Sequence, residues 1–234
     1  MVRPVCAVIG VGQGNGAAIG RRFVSDGYAV ALVARTPEVS RKLAGELGGS
    51  ARAYQADASD PQSVERAFAS IRQDLGEVDV LVYNAGSGVW GTVEEITAEA
   101  FQEAWRVNAL GALVASQLVI PAMKRKGKGS IILIGATASR RGGPKSAAFS
   151  SAKGAQRSLA ESMARHLWPS GIHVSVVVID GVVDLPATRE RMPGKPDSFF
   201  VRPEDVAATT SWIVHQPRST WSFEVEARPF GEMW

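Results

Sequence analysis

Residues 5–16 read Val-Cys-Ala-Val-Ile-Gly-Val-Gly-Gln-Gly-Asn-Gly, and the segment 17–23 follows them with Ala-Ala-Ile-Gly-Arg-Arg-Phe. The apolar run predicts a strand, the glycines predict a turn, and the residues after them predict a helix. Such a turn lets the backbone approach a diphosphate, and the helix start offers free N–H groups to it. A glycine-rich turn that binds no ligand would have the same pattern, so the rest of the chain must decide between the two interpretations.

Six further segments predict strands, and helical patterns lie between them. Several strands are continuous apolar runs, such as 131–134, which is typical of strands covered on both faces. Asp60 before Pro61 predicts a helix start, and Gly127 after a basic cluster predicts a helix end. We therefore predict an α/β fold, a doubly wound parallel sheet (Rossmann fold) of about seven strands with helices on both faces. The six segments are 28–34, 51–56, 78–83, 130–135, 172–179 and 222–227.

The composition favours a single domain, 1–234, because 234 residues that are 45% hydrophobic can bury a substantial core. The net charge of +3 is small, so we expect neither nucleic acid nor membrane as a partner. The single cysteine, Cys6, is expected to be a buried apolar side chain. No metal-ligand spacing occurs, so we expect no metal. Only four residues precede the first strand, from which we expect no signal peptide and a cytoplasmic location.

The glycines Gly10, Gly14 and Gly16, with Gly12 as an extra one, follow the pattern Gly-x-x-x-Gly-x-Gly. Further matches occur in chain order after the third, fourth and sixth strands and within two helices. Together these features resemble the short-chain dehydrogenase/reductase family over most of the chain. The further matches are Asp57, Asn84-Ala85-Gly86, Asn108, Phe149 with Lys153, and Asp180 with Gly181.

The resemblance implies a nicotinamide dinucleotide cofactor. It would place the Asp57 carboxylate on the adenine amino group, although Asp57 could equally be a strand-end turn residue. Tyr83 stands where family members often have a second asparagine, and the sequence gives no reason for the change. The residues that the resemblance, together with the glycine turn, assigns to the cofactor are Gly10, Gly12, Gly14, Asn15, Gly16, Arg35, Asp57, Ala58, Asn84, Ala85, Gly86, Lys153, Gly181 and Val183.

The end of the second strand favours NADP(H) over NAD(H). A site for NAD(H) has an acidic side chain here, which bonds the ribose 2′-hydroxyl and would repel a 2′-phosphate. This chain has the uncharged Ala34 followed by Arg35, whose guanidinium suits a phosphate. Arg35 could also be an ordinary solvated charge at a strand end.

The family's chemistry requires hydride transfer and a proton at the substrate oxygen. A tyrosine four residues before the lysine donates that proton, and a serine thirteen residues before the tyrosine holds the oxygen. Here these positions are Phe149 and Ala136. Lys153 remains and would bond the nicotinamide ribose. Asn108 would be the family's helix-kinking, water-holding asparagine, or a helix amide satisfied locally.

Few residues could substitute for the missing hydroxyls. Thr137, Ser139 and Ser150 lie nearest in sequence, but capping and turn roles suit each of them. Asp180 stands where the family usually has proline, and it could act as an acid or base, or cap the loop.

Two functions follow. The first is an NADP(H)-dependent oxidoreductase with non-standard proton handling that acts on a small organic substrate. The second is a catalytically degenerate NADP(H)-binding protein, a sensor or a partner protein. The irregular segment 184–202 is where the family keeps a substrate lid, and the small residues of the helix that carries Lys153 favour a homodimer or homotetramer.

Overall fold

The structure is a computed structural model that describes residues 3–232; both ends of the predicted domain 1–234 lie outside the described residues. A seven-stranded parallel sheet forms the centre, in the order β3-β2-β1-β4-β5-β6-β9. A second, two-stranded parallel sheet pairs β7 with β8. The strands are β1 (Val5–Ile9), β2 (Ala29–Ala34), β3 (Ala51–Gln55), β4 (Val78–Tyr83), β5 (Gly129–Ala136), β6 (Ile172–Ile179), β7 (Val182–Val183), β8 (Phe200–Val201) and β9 (Glu224–Ala227).

Eight α-helices occur within the described residues, and most of them connect successive strands. They are α1 (Asn15–Ser25), α2 (Glu38–Leu47), α3 (Pro61–Asp74), α4 (Ala98–Trp105), α5 (Gly111–Lys126), α6 (Ala147–Leu167), α7 (Pro186–Arg191) and α8 (Pro203–Val214). A π-helical turn, Arg106–Leu110, joins α4 to α5.

The sheet separates two hydrophobic cores, because apolar side chains from the strands point alternately to its two faces. On one face α3, α5 and α6 contribute Phe68, Met123 and Leu167. On the other face α1 and α8 contribute Phe23 and Ile213. This covering of both faces explains why the central strands are continuous apolar runs.

The strand order reverses between β1 and β4. The chain runs outward from β1 through β2 to β3, then returns to β4 on the other side of β1. In sheets of this type a crevice opens at the carboxyl ends of the strands at such a switch point. The fold thereby places a crevice where β1 and β4 end.

The predicted fold class is confirmed, and the seven predicted strands of the main sheet lie within two residues of their observed bounds. Asp60 caps α3 by accepting from the Gln62 N–H at 3.0 Å. Gly127 ends α5 with a φ of 61°, the left-handed conformation that favours glycine. Cys6 is buried, as predicted.

The interpretation of 184–202 as one irregular stretch is wrong. It contains α7 and β8, and the Arg189 guanidinium bonds both oxygens of Asp184 at 2.7 Å and Asp197 at 2.6 Å. The same guanidinium lies over the Phe200 ring, 4.1 Å from its centroid. Because the partners of Arg189 are spread along 184–202, the local composition did not predict that this segment is structured.

The α4 and α5 helices and the π-turn form one continuous helix, Ala98–Lys126. It is long and apolar enough to cross a membrane, but most of its apolar stretch is buried inside the fold. Core packing therefore accounts for most of its apolar side chains, although Phe101 and Trp105 are exposed.

Candidate active site

Two adjoining cavities open at the carboxyl ends of the strands. Their volumes are about 450 Å³ and 870 Å³, and both are lined by Asn84, Gly86 and Gly88. The smaller cavity lies at the ends of β2 and β3, and the larger one lies between the end of β5 and α7. Together they form one cleft across the switch point, the position where dinucleotides bind in folds of this type.

The glycine turn after β1 is shaped by contacts between backbones. Gly10 has a φ of 92°, and a Cβ there would lie 2.4 Å from the Ala85 nitrogen. A Cβ on Gly16 would lie 2.4 Å from the Gly10 carbonyl oxygen. A Cβ on Gly12 would meet no atom within 4 Å beyond its chain neighbours, and a Cβ on Gly14 would lie 2.6 Å from the Leu185 side chain. The protein itself therefore requires Gly10 and Gly16, whereas Gly12 faces open space.

The start of α1 fits a phosphate-containing cofactor. Gly14 provides no side-chain cap, so N–H groups of the first turn are available to a ligand. Asn15 lines the larger cavity, and its Oδ1 is buried without a hydrogen-bond partner. Free donors and an unpaired acceptor beside an open cleft are what a bound dinucleotide would satisfy.

Arg35 and Asp57 line the smaller cavity together with Ala34 and Ala58. The Arg35 side chain is exposed, as both of its predicted roles require. The Asp57 carboxylate accepts from the Ser59 N–H at 2.9 Å and from its hydroxyl at 2.7 Å. These bonds, the backbone one above all, lower the pKa of Asp57, and the Arg35 charge contributes. The turn role of Asp57 is thus observed, and its carboxylate still lines the cleft.

Asn84 ties the fourth strand to the first. Its Nδ2 donates to the Gly10 carbonyl at 2.7 Å, and its backbone N–H donates to the Ile9 carbonyl at 2.8 Å. Ala85 and Gly86 follow it along the cleft. The backbone at Asn84 is therefore held against the glycine turn.

Tyr83, unexplained by the sequence, has a defined partner. Its hydroxyl donates to the Val107 carbonyl of the π-turn at 2.5 Å, in a fully buried position. Burial raises the pKa of the phenol, so it stays protonated and remains a donor. A π-turn disturbs the regular helical bonding of its carbonyls, and the phenol pairs with one of them.

Asn108 lies in the π-turn, where its side-chain amide bonds neighbouring carbonyls. Its Nδ2 donates to the Ala104 carbonyl at 2.8 Å and to the Ser87 carbonyl at 3.3 Å. Its Oδ1 is buried and has no partner. The amide is thus satisfied locally on its donor side and unpaired on its acceptor side.

Lys153 lines the larger cavity and is 5% exposed. Its ammonium donates to the Ile134 carbonyl at 2.8 Å and to Gln156 Oε1 at 3.1 Å. Burial lowers the pKa of Lys153 to about 8. Gln156, which the sequence did not single out, donates in turn to the Asn108 carbonyl at 2.9 Å.

Phe149 and Ala136 line the same cavity as Lys153. The Phe149 ring contacts the Trp90 indole, with 5.1 Å between centroids. Trp90 is 63% exposed and forms part of the cavity wall, and the sequence did not single it out. Where the family's proton donor would stand, this cavity therefore presents an aromatic, apolar surface.

The three neighbouring hydroxyls have structural partners. Ser139 Oγ accepts from the Ala136 N–H at 3.1 Å, and Ser150 Oγ lies 2.5 Å from Ser146 Oγ. Thr137 Oγ1 donates to Asp180 at 2.5 Å. The Ser139 contact is of the predicted turn kind, whereas Thr137 and Ser150 bond the side chains of Asp180 and Ser146 instead.

Asp180 is 4% exposed and lies in an ion pair with Arg228. Arg141 also contacts its carboxylate, at 3.4 Å. With two guanidinium groups and the Thr137 hydroxyl around it, the carboxylate is held as an acceptor. This surrounding favours the loop-capping role over the acid or base role.

The segment after β6 closes the cleft from one side. Gly181 and Val183 line the larger cavity, as do Leu185, Thr188 and Met192 from α7 and its flanks. The predicted lid region thus reaches the same cavity as Lys153 and Phe149.

Solved structures provide the first comparison. A short-chain dehydrogenase from Rhodopseudomonas palustris superimposes with a TM-score of 0.84 and 32% identity, over 97% of this chain and 99% of that one. An alcohol dehydrogenase from Thermococcus sibiricus, solved with 5-hydroxy-NADP, gives a TM-score of 0.88 and 28% identity over 98% of both chains.

Comparisons of the amino-acid sequence also identify dehydrogenases. A Xanthobacter autotrophicus protein named inactive 2-(S)-hydroxypropyl-CoM dehydrogenase 2 is 30% identical over 83% of this chain and 90% of its own length. The family model described as short chain dehydrogenase matches residues 4–195. The chain belongs to the short-chain dehydrogenase family of NAD(P)-dependent oxidoreductases.

Proposed function

We propose that residues 1–234 form one catalytic domain that binds NADP(H) and transfers a hydride to or from a small organic substrate without a tyrosine proton donor. The observation that carries the proposal is the cavity in which Lys153, Phe149 and Ala136 meet. The cofactor, when bound, supplies the hydride. The residues proposed to hold it are those assigned to it from the sequence, from Gly10 to Val183.

The preference for NADP(H) rests on charge at the smaller cavity. Arg35 is exposed at the rim beside the uncharged Ala34. Asp57 lies in the same cavity, but its carboxylate already accepts from Ser59. A 2′-phosphate at this rim would gain a charge-assisted bond to the Arg35 guanidinium.

The proposed reaction is one that needs little protonation at the reacting centre, such as reduction of an iminium. Positioned acid catalysis typically contributes about 10²–10⁴-fold, and Phe149 provides none. An iminium carbon accepts hydride without a proton on a neighbouring oxygen, so the aromatic wall of Phe149 and Trp90 is compatible with it. Reactions of ketones and alcohols would proceed without this rate enhancement from acid catalysis.

The alternative, a degenerate NADP(H)-binding protein, has specific support. The Xanthobacter relative, which is similar over most of this chain, is named inactive. In addition, Asp180, which could have acted as a substitute acid, is held by Arg228 and Arg141. A protein of this kind would keep the cofactor site and act through a partner.

We also propose a homodimer or homotetramer built partly on α6, in a cytoplasmic location. Some of the small residues of α6, Ala148 and Ala152, pack against Ala104 within the chain and are unavailable to a partner. A Cβ on Gly154 would meet no atom within 4 Å outside the nearby helix backbone, so this position leaves room for close helix contact. Sedimentation at micromolar concentration tests the assembly, and a monomer would contradict it.

The test of function is a screen of NADPH oxidation over carbonyls, imines and activated alkenes. The enzyme proposal expects turnover of at least one imine that falls sharply in a Lys153→Met variant with an unchanged fold. If every class is inert while NADPH binds, the binding-protein alternative is supported.

A further inference from the structure

A chain of hydrogen bonds connects the Lys153 ammonium to the kinked helix through Gln156. Gln156 Oε1 accepts from the ammonium at 3.1 Å, and its Nε2 donates to the Asn108 carbonyl at 2.9 Å. Gln156 is 1% exposed, and Asn108 is fully buried. The Gln156 amide therefore accepts a hydrogen bond from the lysine and donates one to the π-turn.

The contact with Gln156 occupies one of the N–H groups of the Lys153 ammonium. A lysine ammonium has three N–H groups, and here two are used by the Ile134 carbonyl and Gln156. One N–H remains. A Cβ on Gly86 would lie 3.8 Å from Lys153 Nζ and 3.4 Å from Asn108 Oδ1, and Gly86 lines both cavities. The unused donor and the unpaired acceptor thus lie close to the same point of the cleft wall.

No charged side chain forms an ion pair with Lys153 among residues 3–232. The groups that face its ammonium are the Ile134 carbonyl from β5, the Gln156 amide from α6 and, across Gly86, the Asn108 amide from the π-turn. The orientation of the charge is consequently set by neutral acceptors. Of these, Gln156 is the only side chain that bonds it in the described part of the chain.

We propose that Gln156 is a positioning residue: it fixes the Lys153 ammonium so that its third N–H, together with Asn108 Oδ1, is presented to one hydroxyl of the bound cofactor. A hydroxyl can accept from the ammonium and donate to the amide oxygen at the same time. The inference rests on the proposed function, in which that hydroxyl belongs to the nicotinamide ribose. In this proposal the Gln156 side chain, and not a water molecule, connects Lys153 to the Asn108 carbonyl.

The first arm of the test is NADPH affinity in a double-mutant cycle. Gln156→Met keeps the length of the side chain and removes both polar atoms, so we expect affinity to fall about fivefold, the equivalent of one hydrogen bond. In a Lys153→Met background the same substitution should have no further effect. Gln117→Met, at an exposed position of α5, is the matched control and should leave affinity unchanged.

The second arm needs no cofactor. The pKa of Lys153 is followed by NMR of lysine-labelled protein, with the signal assigned by its loss in Lys153→Arg. Gln156→Glu should raise this pKa, because a carboxylate would replace a neutral acceptor. Gln156→Met should lower it, because the charged form loses an acceptor. If Gln156→Met does not fold, Gln156→Glu alone provides this arm, and Gln117→Glu is its control.

The outcomes separate the two proposals. If both Gln156 variants leave the Lys153 pKa unchanged, or if the loss of affinity is the same with and without Lys153, Gln156 acts independently of the lysine and the inference fails. If the pKa moves as expected but Lys153→Met does not weaken NADPH, the lysine has been wrongly assigned to the cofactor. In that case the proposed function fails at this residue, whereas the pairing of Gln156 with Lys153 stands.

Discussion

The Phe149 ring packs against the Trp90 indole, with 5.1 Å between the ring centroids and 45° between their planes. One helical turn further along α6, Lys153 lies in the same cavity wall. Lys153, which we propose to be the lysine of the family motif, therefore shares its cavity with an aromatic surface at the position proposed for the phenolic partner.

The first prediction concerns cofactor choice. Arg35→Ala should weaken NADPH binding about 10–100-fold, because charge-assisted hydrogen bonds to the 2′-phosphate would be lost. NADH affinity should change little, since NADH lacks that phosphate. Arg41→Ala, at an exposed position of α2, is the control. Equal affinity of the unaltered protein for both cofactors would refute the charge argument.

The second prediction concerns pH. Burial lowers the pKa of Lys153 to about 8 in the folded protein, below its ordinary value of 10.5. Between these values the unfolded chain binds more protons than the folded one, so the contribution of Lys153 to stability rises with pH. This contribution of Lys153 to stability is complete above about pH 10.5 and is lost as the pH falls through about 8.

Urea unfolding of the protein and of Lys153→Met at pH 7, 8.5 and 10 measures this contribution. The free energy of unfolding of the unaltered protein should increase relative to the variant by about 3 kcal/mol across the window. A difference that stays constant with pH would mean that the ammonium is better solvated than its surroundings indicate.

The third prediction concerns the Asp180–Arg228 ion pair. Asp180 is 4% exposed and the Arg228 side chain is 10% exposed, so Asp180→Asn replaces a buried ion pair by a neutral contact. We expect the free energy of unfolding to fall by about 2–4 kcal/mol. Asp205→Asn, which breaks the exposed pair with Arg202, should cost less than about 1 kcal/mol. If Asp180→Asn abolishes turnover without a loss of stability, Asp180 is the acid or base and not a structural ion.

The sequence was sufficient to predict the sheet and the glycine turn. The apolar runs of β1, β5 and β6 are uninterrupted, and Gly10 and Gly16 stand where two backbones meet, which explains why their spacing is so specific. Asp60 and Gly127 were recognisable because capping is a local interaction between near neighbours in sequence.

The remaining features depend on contacts between distant residues. The partner of Tyr83 is a carbonyl of the π-turn, 24 residues away, and the partner of Gln156 is the Asn108 carbonyl, 48 residues away. Neither a buried tyrosine nor a helical glutamine carries a local signal of such a role. The α7 helix was missed because its order depends on Arg189 joining Asp184 to Asp197.

If the site is intact apart from its two missing hydroxyls, as we propose, Phe149→Tyr combined with Ala136→Ser should restore carbonyl reduction. NADPH-dependent reduction of a panel of small ketones and aldehydes is compared between this double variant and the unaltered protein. We expect carbonyl reduction to rise by about 10²-fold or more, with part of the gain from Phe149→Tyr alone and its loss on adding Lys153→Met. A double variant that folds and binds NADPH but reduces no carbonyl would contradict the claim, as would an unaltered protein that already reduces ketones equally well.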